Sequence, residues 1–168
     1  KPPMVNVRES IYSLLAPMKK KGNVVDLLGF FAPLEDTSEI YPMLEGIGVR
    51  KIHEISRCQN LAEYRQMAEA NFALVLNPEA RAAAEIFEKK LGIPSIELKR
   101  FYDPERIHRQ YQAFGNVLGV TFDDQTYYEA AMHSVEKLKT CGKLVFSVGE
   151  SLNADSFELS LALVKMGF

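Results

Sequence analysis

No glycine-rich phosphate loop opens this chain's first helix–strand pattern. Where a strand-like run ends at Gly29, the sequence continues Phe30-Phe31-Ala32-Pro33 instead of GxGxxG. GxxxxGK[ST], HExxH and GxSxG are missing as well, so nucleotide binding by a glycine-rich loop is not expected. Cysteine is scarce. Cys58 and Cys141 stand far apart, with no CxxC or Cys/His spacing. That excludes a self-contained zinc or iron–sulfur motif and gives no sign of a disulfide framework. There is no excess of positive charge: the net charge is −2, which gives no electrostatic reason to expect nucleic acid or an anionic membrane as partner. Lys19-Lys20-Lys21 reads as a solvated helix end. No apolar run approaches the roughly 18 residues that would cross a bilayer. Nothing at the start resembles a signal peptide, although the first residue is Lys1 and not Met. A cytoplasmic location is expected.

What is present is an ordinary globular composition, 168 residues with 47% apolar and 25% charged. That is enough for one domain with a sizeable core, or one domain plus a piece of another. The clearest stretch runs from Asn71 to Leu98 as strand, helix and strand. Phe72 to Leu76 suits a buried strand. Asn77 can cap the following helix and Pro78 can occupy its first position. Ala80, Ala83, Ala84, Phe87 and Leu91 then share one helical face. Gly92 and Pro94 end the helix, and Ile96 to Leu98 starts a new strand.

Elsewhere the pattern repeats. Val7, Ile11, Leu14, Leu15 and Met18 predict a helix within residues 5–20, ended or kinked at Pro17 and broken at Gly22. Asn23 to Gly29 is a near-continuous apolar run, as in a parallel strand covered on both faces. Asp26 interrupts it and needs a partner if buried. A helix capped by Ser38 and buried through Ile40, Met43, Leu44 and Ile47 should follow, then a strand over Val49 to Ile55. Asn60 and Glu63 suggest a capping box opening a helix with Leu61, Tyr64, Met67 and Ala68. Beyond Leu98 two consecutive helices are expected. One begins at Pro104 and carries Ile107, Tyr111, Phe114 and Leu118. The other follows Asp123-Asp124 with Tyr127, Tyr128, Ala131, Val135 and Leu138, and ends at Gly142. Leu144 to Val148 reads as a strand and Asn153 to Met166 as a helix. Gly167-Phe168 resembles a helix end about to enter another strand, so a piece of a longer protein is expected.

Alternating strands and helices with short connections predict a parallel, Rossmann-like α/β sheet with helices on both faces, three layers in all. Residues 1–142 would form that domain, and 143–168 would open a following one. In such sheets ligands bind beyond the carboxyl ends of the strands. Phe30 to Asp36, Ser56 to Asn60 and Asn77 form that edge. The candidate cofactor-binding residues are therefore Phe30, Cys58 and Asn77. As a thiolate Cys58 could ligate a soft metal, although an inert loop cysteine is the simpler reading. Asn77 is already explained as a cap. His53, next to Glu54 at a strand end, is better placed than the helical His108 and His133. Phe30-Phe31 and Tyr127-Tyr128 could line a pocket for a planar macrocycle, or belong to the core. The residues support no metal ligand set and no catalytic assignment.

Several segments in order resemble nitrogenase component 1 and its relatives: the molybdenum–iron protein subunits, their cofactor-assembly homologues and the nitrogenase-like reductases of tetrapyrrole synthesis. They are VVDLLGFF, SEIYPMLEGIGVRKIHEIS, LAEYRQMAEANFALVLNPEARAAAEIFEKKLGIPSIEL and CGKLVFSVGES with LALVKMGF. The resemblance covers most of 22–168 and implies the middle of three Rossmann-like domains plus the start of the last. It implies a parent oxidoreductase subunit that takes electrons from an ATP-dependent iron–sulfur reductase and reduces a substrate at a metal cofactor, with a second component 1-like subunit as partner. An iron–sulfur cluster or metallocofactor is thus implied for the parent complex and none for this piece, which would be inactive alone. One departure is informative. Aligned on Gly92-Ile93-Pro94, Leu76 stands where the molybdenum–iron α subunit carries a cofactor-ligating cysteine. A cofactor- or tetrapyrrole-binding assembly scaffold without catalysis is the alternative, and a purely structural subunit a third.

Overall fold

A computed structural model describes residues 2–149 and 155–168. The chain divides into two compact units, Lys1–Lys99 and Arg100–Phe168.

The first unit is built on a four-stranded, all-parallel sheet in the order β2-β1-β3-β4. Strand β1 (Val24–Leu28) is buried along its whole length, as its unbroken apolar run requires. It pairs with β2 (Lys51–Glu54) through Val25↔Ile52 and Asp26↔His53, and with β3 (Phe72–Val75) through Val25↔Phe72 and Leu27↔Leu74. Strand β4 (Ser95–Glu97) adds to β3 with Leu74 opposite Ile96. The expected α/β Rossmann-like class is what the chain adopts.

Four helices serve this sheet. They are α1 (Pro3–Ser13), α2 (Ile40–Gly46), α3 (Leu61–Gln66) and α4 (Arg81–Ile86). The crossover through α2 steps from β1 toward one edge, whereas those through α3 and α4 run the other way. Right-handed crossovers therefore place α2 on one face and α3 and α4 on the other. The main core lies on the second face. Val24, Leu28, Ala73 and Val75 of the sheet meet Tyr12 and Leu15, Met67 and Ala68, and the predicted Ala80–Ala83–Ala84–Phe87–Leu91 stripe. Tyr12 and Phe87 meet edge to face, their ring centroids 5.4 Å apart.

The helical stretch after β3 has three geometries. A 3₁₀ turn at Pro78–Ala80 leads into α4, and a π turn at Phe87–Leu91 closes it. The left-handed stop at Gly92 (φ 65°) is where the sequence placed it.

Several expectations are corrected. Helix α1 ends at Ser13, before the expected stop or kink at Pro17, and its buried residues are Arg8 and Tyr12, whereas Val7, Leu14 and Met18 are exposed. Helix α2 starts at Ile40 with Glu39 before it, and Ser38 makes no side-chain cap. The later start leaves Pro42 in the first turn, where its missing N–H costs least. Leu61 opens α3 exposed to solvent, while Met67 and Ala68 are buried in a 3₁₀ turn. The capping box is real in a shifted form: Asn60 Oδ1 accepts from the Glu63 amide (3.0 Å), and Glu63 Oε2 accepts from the Gln59 amide (2.7 Å).

The second unit contains α5 (Pro104–Leu118), α6 (Gln125–Lys139) and α7 (Ser156–Met166). Tyr111 and Phe114 of α5 pack on Phe122, with centroids 6.5 and 4.8 Å apart. Residues 144–149 form no strand, and Val145 and Phe146 are exposed, so the expected strand over Leu144 to Val148 is not formed here. A strand needs a neighbour for its backbone hydrogen bonds. Asp155 caps α7 through the amides of Phe157 and Glu158. The earlier part of the helix expected from Asn153 lies outside the described residues.

Candidate functional site

Strand order 2-1-3-4 reverses direction between β1 and β3, so the carboxyl ends of these two strands form the topological switch point, where open α/β sheets hold ligands. The loops leaving them are in contact. A Cβ on Gly29 would lie 3.1 Å from the Asn77 amide nitrogen and 3.2 Å from the Asn77 Cβ, closer than side chains ordinarily pack. The Leu76 amide donates to the carbonyl of Leu28 at 2.7 Å, carrying the pairing to the rim. Asn77 does what capping chemistry predicts: its Oδ1 accepts from the Glu79 amide at 2.9 Å.

Arg8 of α1 fills the space above this contact. Its Nε and Nη2 donate to the Gly29 carbonyl at 2.9 and 2.6 Å, and its Nη1 donates to Glu79 Oε2 at 2.7 Å and to the Met4 carbonyl at 3.2 Å. The guanidinium also lies 4.8 Å from the centre of the Phe31 ring. Only 4% of Arg8 is exposed, so a full charge is buried on satisfied partners.

A second constellation sits at the end of β2. The buried Glu54 accepts from Tyr41 Oη, from Arg57 Nε at 3.0 Å and from the Leu34 amide at 3.1 Å. Arg57 continues to Asp36 (2.7 Å) and to the Leu34 carbonyl (2.8 Å), which ties the loop after β1 to the turn after β2. Burial, and then the hydrogen bond to Glu54, push the Tyr41 phenol up to about 12. The network fixes loop geometry with every named acceptor already occupied.

Asp26 has the partner its burial demands. His53 Nδ1 lies 2.9 Å from Asp26 Oδ1 across the β1–β2 pair. Burial holds the Asp26 carboxyl well above its usual range, and lowers His53 to about 4, with Lys51 adding to the effect. Both shifts favour uncharged forms, so although the spacing is that of an ion pair, we describe it as a neutral acid–imidazole pair sharing one proton. Asp26 Oδ2 and His53 Nε2 have no hydrogen-bond partner among the described residues.

The candidate residues thus separate. Phe30, half-buried next to Gly29, and Asn77 flank the switch point together. Cys58 does not join them. It packs against the main core, and its Sγ lies 3.5 Å from the Glu54 carbonyl. Burial, then Glu63, raise its thiol above the ordinary value, toward the uncharged, unreactive form. His108 belongs to the second unit, where its Nδ1 contacts both Asp124 oxygens at 2.8 and 2.9 Å and its ring stacks on Tyr128. Cys141, Tyr127 and His133 are exposed. Lys21 pairs with Glu69 at 2.6 Å, and Lys20 donates to the Ala68 carbonyl at 2.8 Å. Arg8 is the residue that sequence reasoning missed. The Arg8–Tyr12–Leu15 spacing was available, but a basic residue on a buried stripe reads as an error until its acceptors are known.

The residues of this edge do not fit a metal cluster. Leu76 offers no donor atom, Cys58 packs against the core, and the Gly29 carbonyl and the Glu79 carboxylate already accept from the Arg8 guanidinium. Among the described residues no three His, Cys, Asp or Glu side chains converge on a common point. No described helix is long and apolar enough to cross a membrane.

A search of curated proteins finds no match. Residues 5–147 match the nitrogenase component 1 type oxidoreductase family. The chain belongs to that family.

Proposed function

We propose that this component 1 type chain serves as the central Rossmann-like scaffold of an oxidoreductase subunit, which accepts electrons from an ATP-dependent iron–sulfur reductase and pairs with a second component 1-like subunit in the cytoplasm. The observation that carries the reading is the family match over 5–147, on a parallel sheet whose carboxyl edge is well ordered by Arg8 and Glu54. Metal chemistry is assigned to other parts of such a subunit, because Leu76, Cys58 and Arg8 leave no ligand set here. Residues 143–168 are proposed to open a following domain, in which 144–148 gains the strand neighbours it needs. The test is ATP-dependent oxidation of the reduced reductase on mixing with the natural full-length subunit, followed as the return of the iron–sulfur absorption that reduction bleaches. No ATP-dependent electron transfer would overturn the oxidoreductase reading.

A second reading is favoured by one observation. By the resemblance, Leu76, just past β3, stands where a molybdenum–iron α subunit carries a cofactor-ligating cysteine, and a leucine supplies no donor there. A non-catalytic scaffold for metallocofactor or tetrapyrrole assembly would need none. It predicts that the full-length subunit passes a bound cofactor to an acceptor protein without consuming reductant.

A further inference from the structure

The second unit holds a groove with its own chemistry. Helices α5, α6 and α7 line an open groove of about 380 Å³, whose apolar side chains include Met132, Val135 and Met166. Four cations reach it from three helices: Arg106 and Arg109 from α5, Lys139 from α6 and Lys165 from α7. Only two carboxylates, Asp103 and Glu105, share the lining, in a chain whose overall charge is −2.

Three of these four cations are held loosely. Asp103 Oδ1 is committed to capping α5 through the Glu105 amide at 3.1 Å. Its Oδ2 meets Lys165 at 3.4 Å, a long ion pair. Arg109 and Lys139 pair with Glu105 and Glu136 of their own helices, and exposed pairs of that kind are weak and easily exchanged. Arg106 is held firmly, by Glu158 at 2.6 Å and by the Phe101 ring 4.0 Å away.

Helix electrostatics accounts for Lys139 and Lys165, which lie in the last turns of their helices. It does not account for Arg106, which lies in the first turn of α5, where the dipole disfavours cations, and it is neutral toward Arg109 one turn further on. A lining that mixes cations with apolar side chains suits a ligand with both characters.

We propose that this groove binds a small soluble amphiphilic anion, a carboxylate- or phosphate-bearing molecule with an apolar body. The test uses 1-anilinonaphthalene-8-sulfonate as the probe, with inorganic phosphate as a separate arm and near-UV circular dichroism to verify folding. The expected result is saturable one-to-one binding that weakens at least tenfold in the double variant Arg109→Gln, Lys165→Gln and with added salt. Val135→Glu should abolish it, and Lys89→Gln, outside the groove, should leave it unchanged. The proposal is overturned by absence of saturable binding, or by unaltered binding in the folded groove variants. Displacement of the probe by equimolar phosphate would also overturn it, because the site would then read charge alone.

Discussion

The Arg8 guanidinium and the Gly29 carbonyl, 21 residues apart, are joined by two hydrogen bonds of 2.9 and 2.6 Å. Hydrogen bonds to a charged group contribute roughly 1.5–3 kcal/mol each at best, and removing the donor also strands a buried carbonyl. Arg8→Met keeps most of the packing and loses the donors. A loss of about 2–3 kcal/mol is expected, read as a lower urea midpoint with unchanged slope. An unaltered midpoint would show that α1 is not anchored at the switch point.

Gly29 faces Asn77 with little room for a methyl group, since 3.1–3.3 Å separates its Cβ position from three atoms of the neighbouring loop. Gly29→Ala should cost about 1–3 kcal/mol through overpacking. Gly22→Ala, where nothing lies within 4 Å, is the matched control and should stay within about 0.5 kcal/mol. Equal midpoints for the two variants would rule out the close approach.

Asn77→Ala removes the cap over the Glu79 amide and should destabilise by roughly 1 kcal/mol, with Asn77→Asp close to neutral. No change for Asn77→Ala would mean that the helix begins elsewhere.

The Asp26–His53 pair makes stability pH-dependent from both sides. His53 is lowered to about 4 in the fold, so the stability it lends is complete above the unfolded value near 6.5 and is lost as pH falls from there toward 4. Asp26 is raised, so its contribution is present at low pH and is lost as pH climbs through its elevated folded value. Between pH 4 and 6.5 the two trends oppose each other, so unfolding midpoints should rise more steeply with pH in Asp26→Asn, where His53 acts alone, and fall with pH in His53→Gln, where Asp26 acts alone. Parallel profiles for wild type and both variants would contradict the neutral pair.

Anaerobic iron–sulfur reconstitution of this chain is expected to leave no stable visible chromophore. A chromophore that disappears in Cys58→Ala would show that the thiol can leave the core.

The residues that could be read in sequence were those whose partners are close by in the chain. Asn60, Asn77 and Gly92 act on amides or dihedral angles within three residues of themselves, and the alanine-rich face of α4 needs only its own period to be seen. Strand β1 was legible because burial on both faces leaves no polar alternation. Asp26 was correctly marked as needing a partner, but nothing local points to His53, which is joined to it only by strand register. Arg8 was illegible for the same reason, since its acceptors come from Gly29 and Glu79. The face of α1 was misread because Val7 and Leu14 fit a helical stripe as well as Arg8 and Tyr12 do. Leu144 to Val148 has the composition of a strand, but composition cannot supply a neighbouring strand. At the candidate edge, sequence position placed Phe30 and Asn77 together but gave no direction for the Cys58 side chain, which turns inward.

The position of β1 in the strand order bears on how the chain is made. During synthesis Val24–Leu28 emerges before either of its neighbours. Val25 waits for Ile52 on one side and for Phe72 on the other. A nascent chain halted before Asn71 therefore carries its most apolar strand with one edge open, a surface that invites pairing with another chain. The strand of the sheet that is translated first stays open along one edge until Phe72–Val75 has followed it.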